Sequence, residues 1–259
     1  MLRVQAVPAF TDNYIWLIHG SRNKSVAIVD PGDHEPVLRA LERDGLQPAA
    51  VLITHRHGDH VGGIRGLRAR YPDLPVFGPA RESIPDRSRA LQEGDVVELV
   101  ELGLRFTVWD VPGHTAGHIA YLGHGALFCG DTLFAAGCGR VFDGTLADLY
   151  RSLARIAALP ADILFYCAHE YTLDNLGFAR WVEPDNPAIE ARLALTHQAL
   201  DEGRPTACGP LSEELATNPF LRVSVPSVMR AAQAKAGHRL DGPAEVFAVL
   251  RTWKDTEYD

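Results

Sequence analysis

The sequence predicts an α/β protein followed by a smaller helical region, and two observations support this prediction. Over the first two thirds of the chain, short apolar runs bounded by turn residues alternate with segments of helical periodicity. After about Tyr171 no strong strand pattern follows, and the apolar residues recur at helical spacing. With 259 residues, the chain is long enough for one large core or two modest ones.

Apolar runs between turn residues define the predicted strands. These strands are Leu2–Val7, Tyr14–His19, Ser25–Asp30, Ala50–Thr54, Val96–Leu102, Arg105–Asp110, His118–Leu122, Ala126–Cys129 and Ile163–Ala168. Helical periodicity between them predicts helices over His34–Arg43, His60–Arg70 and Leu146–Leu159. Strands that alternate with helices in this way are typical of an α/β architecture, in which helices cover a sheet.

Helical start signals dominate the last part of the chain. Asn186 followed by Pro187 predicts an N-cap and a proline in the first helical position. The predicted helices of this region are residues 186–203, 226–236 and 243–254. We therefore predict two domains, residues 1–171 and 172–259, of which the second is all-helical.

Composition and charge exclude several classes of protein. The net charge is −8, from 25 basic and 33 acidic residues, so we expect no nucleic-acid partner. No run approaches the roughly 18 apolar residues that a membrane span requires. The first eight residues are typical of a strand and lack the apolar core of a signal peptide. Four cysteines without a CxxC pair favour reduced thiols, so we expect a cytoplasmic protein. We also expect a monomer.

The segment Thr54–His60, T-H-R-H-G-D-H, concentrates side chains that bind metals. It follows a predicted strand and leads into a predicted helix, which is typical of α/β active sites. His55 and His57 are two residues apart and point to the same side of an extended chain. Asp59 and His60 turn into the helix start. Three histidines and one aspartate within six residues are a dense set of divalent-metal ligands.

Three later segments place further ligand types just beyond a predicted strand. They are P-G-H-T with His114, C-G-D-T with Asp131 and C-A-H-E-Y with His169. A capping aspartate or an ordinary loop histidine would explain any one of them alone. Together with the first motif they supply five histidines and two aspartates in the same topological position, which predicts a metal site.

The order and separation of these motifs over Ala6–Tyr171 resemble the metallo-β-lactamase superfamily. The resemblance implies an αββα sandwich that binds two divalent metals at the ends of its sheets. It implies a first metal bound by His55, His57 and His114, a second bound by Asp59, His60 and His169, and Asp131 as the bridge. Asp59 and Asp131 are the expected catalytic residues. Zinc is the favoured metal, and iron and manganese accept the same ligand types.

Segments outside the metal motifs resemble the glyoxalase II (hydroxyacylglutathione hydrolase) family. They are T-D-N-Y near the start, G-C-G-R after Asp131, N-P-F-L-R at 218–222 and R-T-W-K-D at 251–255. The resemblance implies that glutathione is bound by Arg140, Tyr171, Arg251 and Lys254. Phe142 stands where many relatives have a tyrosine that contacts glutathione.

The spacing of the two C-terminal cations agrees with an anionic ligand. Arg251 and Lys254 are three residues apart, which places them on one face of a predicted helix. Glutathione carries two carboxylates, and Arg and Lys are suitable partners for them. An ordinary solvated helix end, favoured by the helix dipole, is the alternative interpretation of the same two residues.

The resemblance implies hydrolysis of S-D-lactoylglutathione to D-lactate and glutathione, the last step of methylglyoxal detoxification. Metal coordination lowers the pKa of water to about 7, so a hydroxide held between the metals would attack the thioester carbonyl. The leaving thiolate has a conjugate thiol of pKa about 8.5 and needs little assistance. No GxSxG motif for a serine nucleophile occurs in the sequence.

Other functions within and beyond the superfamily fit the sequence less well. A glutathione persulfide dioxygenase with a single iron generally lacks the long helical region seen here at Asn186–Asp259. A lactonase or a β-lactamase would not account for Arg251 and Lys254. A tRNA-processing nuclease is disfavoured by the net charge of −8. A non-enzymatic scaffold would be expected to have lost metal ligands, and none of the seven is missing.

Overall fold

The computed structural model describes residues 2–20 and 24–258, which form two compact units whose segments alternate along the chain. The first unit extends to Val111 and adds Ala116–Gly130 and Phe165–His169. The second consists of Pro112–Thr115, Asp131–Leu164 and the chain from Glu170 onward. The domain division at residue 171 stays a prediction.

A mixed sheet forms the N-terminal part of the first unit. Its strands are β1 (Val4–Ala9), β2 (Asn13–His19), β3 (Ser25–Val29), β4 (Gln47–Leu52), β5 (Val76–Pro79) and β6 (Arg89–Leu91), adjacent in that order. The first three are antiparallel, and the pairs from β3 to β6 are parallel. The carboxyl ends of β3, β4 and β5 therefore lie at one edge, where α/β folds place their sites.

Helices cover one face of this sheet. They are α1 (His34–Asp44), α2 (Gly58–Val61) and α3 (Ile64–Arg70). Helix α1 begins at Asp33, whose carboxylate accepts a hydrogen bond from the Glu35 amide at 3.0 Å. It ends at Gly45, whose φ of 62° suits a residue without a Cβ. Val37 and Leu41 of α1 are buried in the core formed with the sheet.

The single helix predicted at 60–70 is wrong in one respect, because the structure divides it into α2 and α3. The break lies at Gly62 and Gly63, which pack against the backbone of the loop after β3. A Cβ at Gly62 would lie 2.6 Å from the Gly32 carbonyl oxygen, and one at Gly63 would lie 2.6 Å from that of Pro31. This close approach fixes the segment that carries Asp59 and His60.

A second sheet completes the first unit. Its strands are β7 (Val96–Leu99), β8 (Leu104–Asp110), β9 (Ile119–Gly123), β10 (Ala126–Gly130) and β13 (Leu164–Cys167). A separate short hairpin of β11 (Leu133–Phe134) and β12 (Gly137–Cys138) lies between β10 and β13 in the chain. In space the sheet strands follow the order β13-β10-β9-β8-β7, and the pairs from β7 to β10 are antiparallel. A 3₁₀ turn at Val100–Leu102 ends β7 three residues before the predicted boundary.

The second unit is mainly helical. Its elements are α4 (Leu146–Ala157), α5 (Thr172–Val182), α6 (Pro187–Asp201), β14 (Cys208–Pro210), α7 (Leu211–Thr217), α8 (Pro226–Ala236), α9 (Pro243–Trp253) and a π-helical turn over Lys254–Tyr258. The side chains of Phe178, Phe220 and Phe247 pack in series, with ring centroids 5.9 and 5.8 Å apart. Strand β14 lies in the region that was predicted to be all-helical.

The predicted helices α6, α8 and α9 are confirmed within one or two residues at each end. Asn186 caps α6 as predicted, since its side chain accepts a hydrogen bond from the Ala188 amide at 3.0 Å. Helices α5 and α7 were not predicted. No helix in the part of the chain that the structure describes is both long and apolar enough to cross a membrane.

Candidate metal centre

The potential ligands of the first unit follow strand ends, as the sequence predicts. His55 and His57 come after β4, Asp59 and His60 lie in α2, and His169 comes after β13. The rings of His55 and His60 are completely buried. Buried histidines at strand ends need polar partners, which bound metal and neighbouring carboxylates can supply.

Three of these side chains converge within the first unit. The Nε2 atoms of His60 and His169 lie 3.5 and 3.3 Å from Oδ2 of Asp59. The donor atoms of the three residues all lie within 4.8 Å of one another. Two imidazoles and one carboxylate are a donor set that zinc, iron and manganese accept, so these residues fit a divalent metal.

The far side of each ring is held by a carboxylate. Nδ1 of His60 lies 3.1 Å from Asp30, and Nδ1 of His169 lies 2.8 Å from Asp12. Asp12 accepts the Nδ1 proton of His169, which leaves Nε2 of that ring as the unprotonated ligand atom, whereas Asp30 lies at ion-pair distance from Nδ1 of His60. Metal-binding histidines usually have such a partner on the second ring nitrogen.

Asp59 is held in its ionised form. Partial burial alone would raise the pKa of its carboxyl, but the neighbouring rings of His169 and His60 and the Asn13 amide outweigh burial and hold that pKa well below its usual range. The Asn13 amide donates to Oδ2 of Asp59 at 2.9 Å. Asp59 therefore offers a charged oxygen at neutral pH, as a metal ligand must.

The next pair of ligands, His55 and His57, lies beside this group in the same unit. Nε2 of His55 is 3.0 Å from Nδ1 of His57, and Nδ1 of His55 is 3.1 Å from the Thr54 hydroxyl. That hydroxyl donates to Asp30 at 2.7 Å. The ring of His118 stacks on His55, with centroids 4.6 Å apart. Asp30 thus supports both His60 and, through Thr54, His55.

A buried glutamate fixes the backbone between these two histidines. Oε2 of Glu82 accepts a hydrogen bond from the Arg56 amide at 2.6 Å, and Oε1 accepts one from the Gly117 amide at 3.2 Å. The Glu82 side chain is 1% exposed. Because Arg56 lies between His55 and His57, this carboxylate limits the motion of the loop that carries both.

The second unit contributes His114 and Asp131. Nδ1 of His114 donates to the Arg140 carbonyl oxygen at 2.7 Å, so Nε2 is again the unprotonated ring nitrogen, and it lies 3.4 Å from Oδ2 of Asp131. A Cβ at Gly139 would lie 2.0 Å from the Asp131 carbonyl oxygen. Only glycine fits there, which explains the second glycine of the G-C-G segment.

All seven residues that the sequence predicts as ligands lie in the described part of the chain. Within the first unit, Asp59, His60 and His169 form one group that could hold a metal ion. The division of the seven between two metals, with Asp131 as bridge, stays a prediction.

The predicted glutathione-binding residues differ in exposure. Arg140, Phe142 and Tyr171 have exposed fractions of 53%, 66% and 37%. The Phe142 ring packs edge-on against His114, and the Tyr171 ring packs edge-on against Phe134. These three side chains can therefore contact a molecule in solvent next to residues of the metal site.

The two C-terminal cations are buried instead. Arg251 and Lys254 are 1% and 3% exposed, and each pairs with a more exposed acidic side chain. Arg251 donates to Asp255 at 2.8 Å, and Lys254 donates to Asp174 at 2.8 Å. The solvated helix end considered above is therefore wrong for both residues, and their binding of glutathione stays a prediction.

Sequence reasoning missed the residues that support the ligands. Asp12 and Asn13 belong to the T-D-N-Y segment, which served only as a family marker, and Asp30 and Glu82 were not singled out. Asp30 directly follows β3, and Glu82 follows β5. A carboxylate just past a strand at the same sheet edge as the histidines is a signal that would have identified both.

Models of two protein families match consecutive parts of the chain. The model described as metallo-beta-lactamase superfamily matches residues 9–169. The model described as hydroxyacylglutathione hydrolase C-terminus matches residues 170–257. The observed sheets and helices agree with the αββα fold that the first match denotes, followed by the helical region that the second denotes.

Individual proteins extend this similarity over nearly the whole chain. A hydroxyacylglutathione hydrolase of Alkalilimnicola ehrlichii is 53% identical over 98% of this chain and 99% of its own length. The crystal structure of ETHE1 from Myxococcus xanthus, 24% identical, superposes with a TM-score of 0.68 and covers 100% of this chain and 93% of that one. TTHA1623 in a di-iron-bound form is 27% identical, with a TM-score of 0.56 and coverages of 81% and 95%.

Proposed function

This chain belongs to the hydroxyacylglutathione hydrolase family of the metallo-β-lactamase superfamily, and we propose that it converts S-D-lactoylglutathione and related 2-hydroxyacyl thioesters to a 2-hydroxy acid and glutathione. The observation that supports this proposal most is the convergence of Asp59, His60 and His169, each held by its own polar partner. The same activity is the name of a relative that is 53% identical across 98% of this chain.

We propose that two divalent metals bind to each chain. Asp59, His60 and His169 would hold one, His55, His57 and His114 the other, and Asp131 would contact both. Bound divalent ions supply Lewis acidity, which activates water near neutral pH and polarises a carbonyl group. Zinc suits the mixed imidazole and carboxylate donors, and the di-iron form of TTHA1623 supports iron as an alternative.

The chain's own residues set the charge and orientation of this site. Asp12 accepts the Nδ1 proton of His169 and so fixes the direction of its Nε2, and the carboxylate of Asp30 lies 3.1 Å from Nδ1 of His60. Asn13 holds one oxygen of Asp59 and thereby orients its carboxylate. Such fixed groups need little rearrangement as charge develops on the attacked carbonyl oxygen.

Binding of the glutathione portion is proposed for exposed residues of the second unit. Arg140 is half exposed and can pair with a carboxylate, Phe142 offers ring surface beside His114, and Tyr171 offers ring surface beside Phe134. The departing thiolate is a good leaving group, since the conjugate thiol has a pKa of about 8.5, so a dedicated general acid is not required.

We further propose that the protein is a cytoplasmic monomer that binds neither nucleic acid nor membrane. Its four cysteines are free thiols, three of them buried, as expected in a reducing compartment. The net charge of −8 disfavours binding to the phosphate backbone.

The test is hydrolysis of S-D-lactoylglutathione by the purified protein, before and after removal of metal with a chelator. We expect rapid loss of the thioester that chelation abolishes and that added zinc or iron restores. Asp59→Asn should lower both bound metal and turnover, whereas the exposed Asp73→Asn should lower neither. Metal-replete protein without turnover would refute the proposed reaction.

Oxygen uptake with glutathione persulfide tests the alternative in the same preparation. A persulfide dioxygenase would consume oxygen and leave the thioester intact. A thioesterase would show the opposite behaviour. The two activities are thus separated by a single pair of assays on one sample.

A further inference from the structure

The hairpin formed by β11 and β12 lies directly between Asp131 and Arg140 in the chain. Its residues Leu133–Cys138 are all buried. Ala136 in its turn has a φ of 56°, a left-handed conformation that an alanine adopts only when its surroundings enforce it. The groups that enforce this conformation also affect the metal site, because Asp131 and the Arg140 carbonyl flank the hairpin.

Four side chains of the helical region hold the backbone of this hairpin. The Ala136 amide donates to Glu214 at 2.8 Å, and the Ala135 carbonyl accepts from Asn175 at 3.0 Å. The remaining two contacts run from Asn218 to the Gly137 carbonyl at 2.9 Å and from Arg251 to the Cys138 carbonyl at 3.0 Å. We call Asn175, Glu214, Asn218 and Arg251 the cradle.

The cradle is buried and internally fixed. Its four side chains are between 0% and 3% exposed. Asn218 accepts a hydrogen bond from the Phe220 amide at 3.0 Å, which assigns its oxygen and leaves its NH₂ group to donate to the hairpin. The charge of Glu214 is balanced by an ion pair with Arg192. A buried network with these contacts satisfied has a well-defined geometry.

The hairpin adjoins Asp131 in the chain and, through Arg140, supports His114. Asp131 is two residues before β11, and the Gly139 amide after β12 donates to the Thr132 carbonyl at 3.3 Å. The next residue, Arg140, accepts the Nδ1 proton of His114 through its carbonyl at 2.7 Å. A shift of the hairpin would therefore move the carboxylate of Asp131 and release the ring of His114.

We propose that Asn175, Glu214, Asn218 and Arg251 are positioning residues, which fix the β11–β12 hairpin and through it the orientation of Asp131 and His114. The helical region then has a role in the metal site besides any contact with glutathione. Only the catalytic assay of this proposal rests on the proposed function, because the order of the hairpin can be measured without substrate.

Two pairs of variants isolate the contacts. Glu214→Leu removes the acceptor of the Ala136 amide, whereas Glu214→Gln keeps an acceptor oxygen and equally loses the charge that pairs with Arg192. Asn175→Leu removes the donor to Ala135 with little change in volume. Asn186→Ala is the matched control, because it removes an N-cap in the same helical region and has no contact with the hairpin.

Hairpin order is read from hydrogen exchange of the Ala136 amide and from labelling of Cys138. Burial raises the pKa of the Cys138 thiol to about 11, so its labelling at pH 8 requires the hairpin to open. We expect Glu214→Leu and Asn175→Leu to accelerate both readouts by about tenfold or more in metal-free protein. Glu214→Gln should restore most of the protection, and Asn186→Ala should not change it.

The catalytic readout uses a second substrate, the D-lactoyl thioester of N-acetylcysteamine, which lacks both glutathione carboxylates. Loss of positioning should lower kcat by about tenfold for both thioesters, with little change in KM for either. An effect on KM that is confined to the glutathione thioester would indicate substrate binding instead and would overturn the proposal.

Equal exchange and labelling in Glu214→Leu, Asn175→Leu and Asn186→Ala would also overturn it. Circular dichroism shows whether each variant is folded. If Glu214→Leu does not fold, the test relies on Asn175→Leu, which changes no charge. Absence of hydrolysis in the unmodified protein would refute the proposed reaction alone, because the exchange and labelling results would still decide the role of the cradle.

Discussion

The ligands of the first unit and those of the second are supported in different ways. In the first unit, carboxylates contact the ligand rings directly, as Asp12 does with His169 and Asp30 does with His60. In the second unit, the helical side chains contact the backbone of a hairpin, which adjoins Asp131 in the chain and supports His114 through the Arg140 carbonyl. Loss of direct support should weaken one ligand, whereas loss of hairpin support should affect Asp131 and His114 together.

The largest effect on activity is expected from substitution of Asp131, the carboxylate that the second unit contributes. Asp131→Ala should lower bound metal and should reduce kcat/KM by about 10³-fold or more, since it removes the proposed bridge. Metal analysis and thioester hydrolysis measure the two effects. Asp162→Ala, an exposed residue of the same unit, is the control. Full activity of Asp131→Ala would contradict the assignment of a site with two metals.

Direct support in the first unit is tested next. Asp12→Asn keeps the shape of the side chain and removes the charge that holds Nδ1 of His169. We expect metal affinity to fall by about 10–100-fold, as for other carboxylates behind a ligating histidine. Titration with a competing chelator measures this, with the exposed Asp73→Asn as the control. An unchanged affinity would mean that the ring needs no such partner.

Indirect support also occurs in the first unit, and Glu82 provides the comparison with the cradle. Glu82→Gln leaves an acceptor for one of the two amides, those of Arg56 and Gly117, that the carboxylate binds. We expect the affinity for metal to fall by up to about tenfold and the melting temperature of metal-free protein to fall by about 2–4 °C. Calorimetry with and without metal checks both, with Glu98→Gln as an exposed control. A lower melting temperature with an unchanged affinity for metal would mean that Glu82 stabilises the fold without positioning the proposed ligands, unlike the role proposed for the cradle.

The smallest expected effect is on the pH dependence of stability, through the buried carboxylate of Glu183 in the helical region. Burial opposes ionisation of Glu183, but hydrogen bonds from Arg222 and Ser227 outweigh it and lower the pKa of its carboxyl below the ordinary 4.5. Since the folded state releases this proton more readily, Glu183 stabilises the fold above about pH 4.5, and the stabilisation is lost as pH falls through the lowered pKa.

Glu183→Gln should therefore lower the melting temperature by about 2–4 °C at pH 7 and by less at pH 4. Thermal unfolding between pH 4 and 7 measures the difference. Glu190→Gln, whose side chain is 54% exposed and pairs with an exposed arginine, should show almost no dependence on pH. The same pH dependence in both variants would contradict the role given to burial at Glu183.

Much of the fold and the ligand set could be predicted because the signals are local. The strands around Thr54–His60 and the ligands His114, Asp131 and His169 follow from runs and motifs of a few residues. The short strands β5, β6 and β14 were missed, since three or four residues carry too little periodicity to stand out. Burial of Arg251 was also missed, because helical spacing does not show which charged residue finds an internal partner.

The sequence by itself predicted the seven proposed ligands and their position after strands, and it indicated the family to which the chain belongs. Only the tertiary structure decided how those ligands are held. Glu214 is 78 residues from the Ala136 amide that it binds, and Arg251 is 113 residues from Cys138. Metal ligands are recognisable by residue type and spacing, but hydrogen bonds to a distant backbone leave no pattern, because any residue supplies the same amide and carbonyl groups.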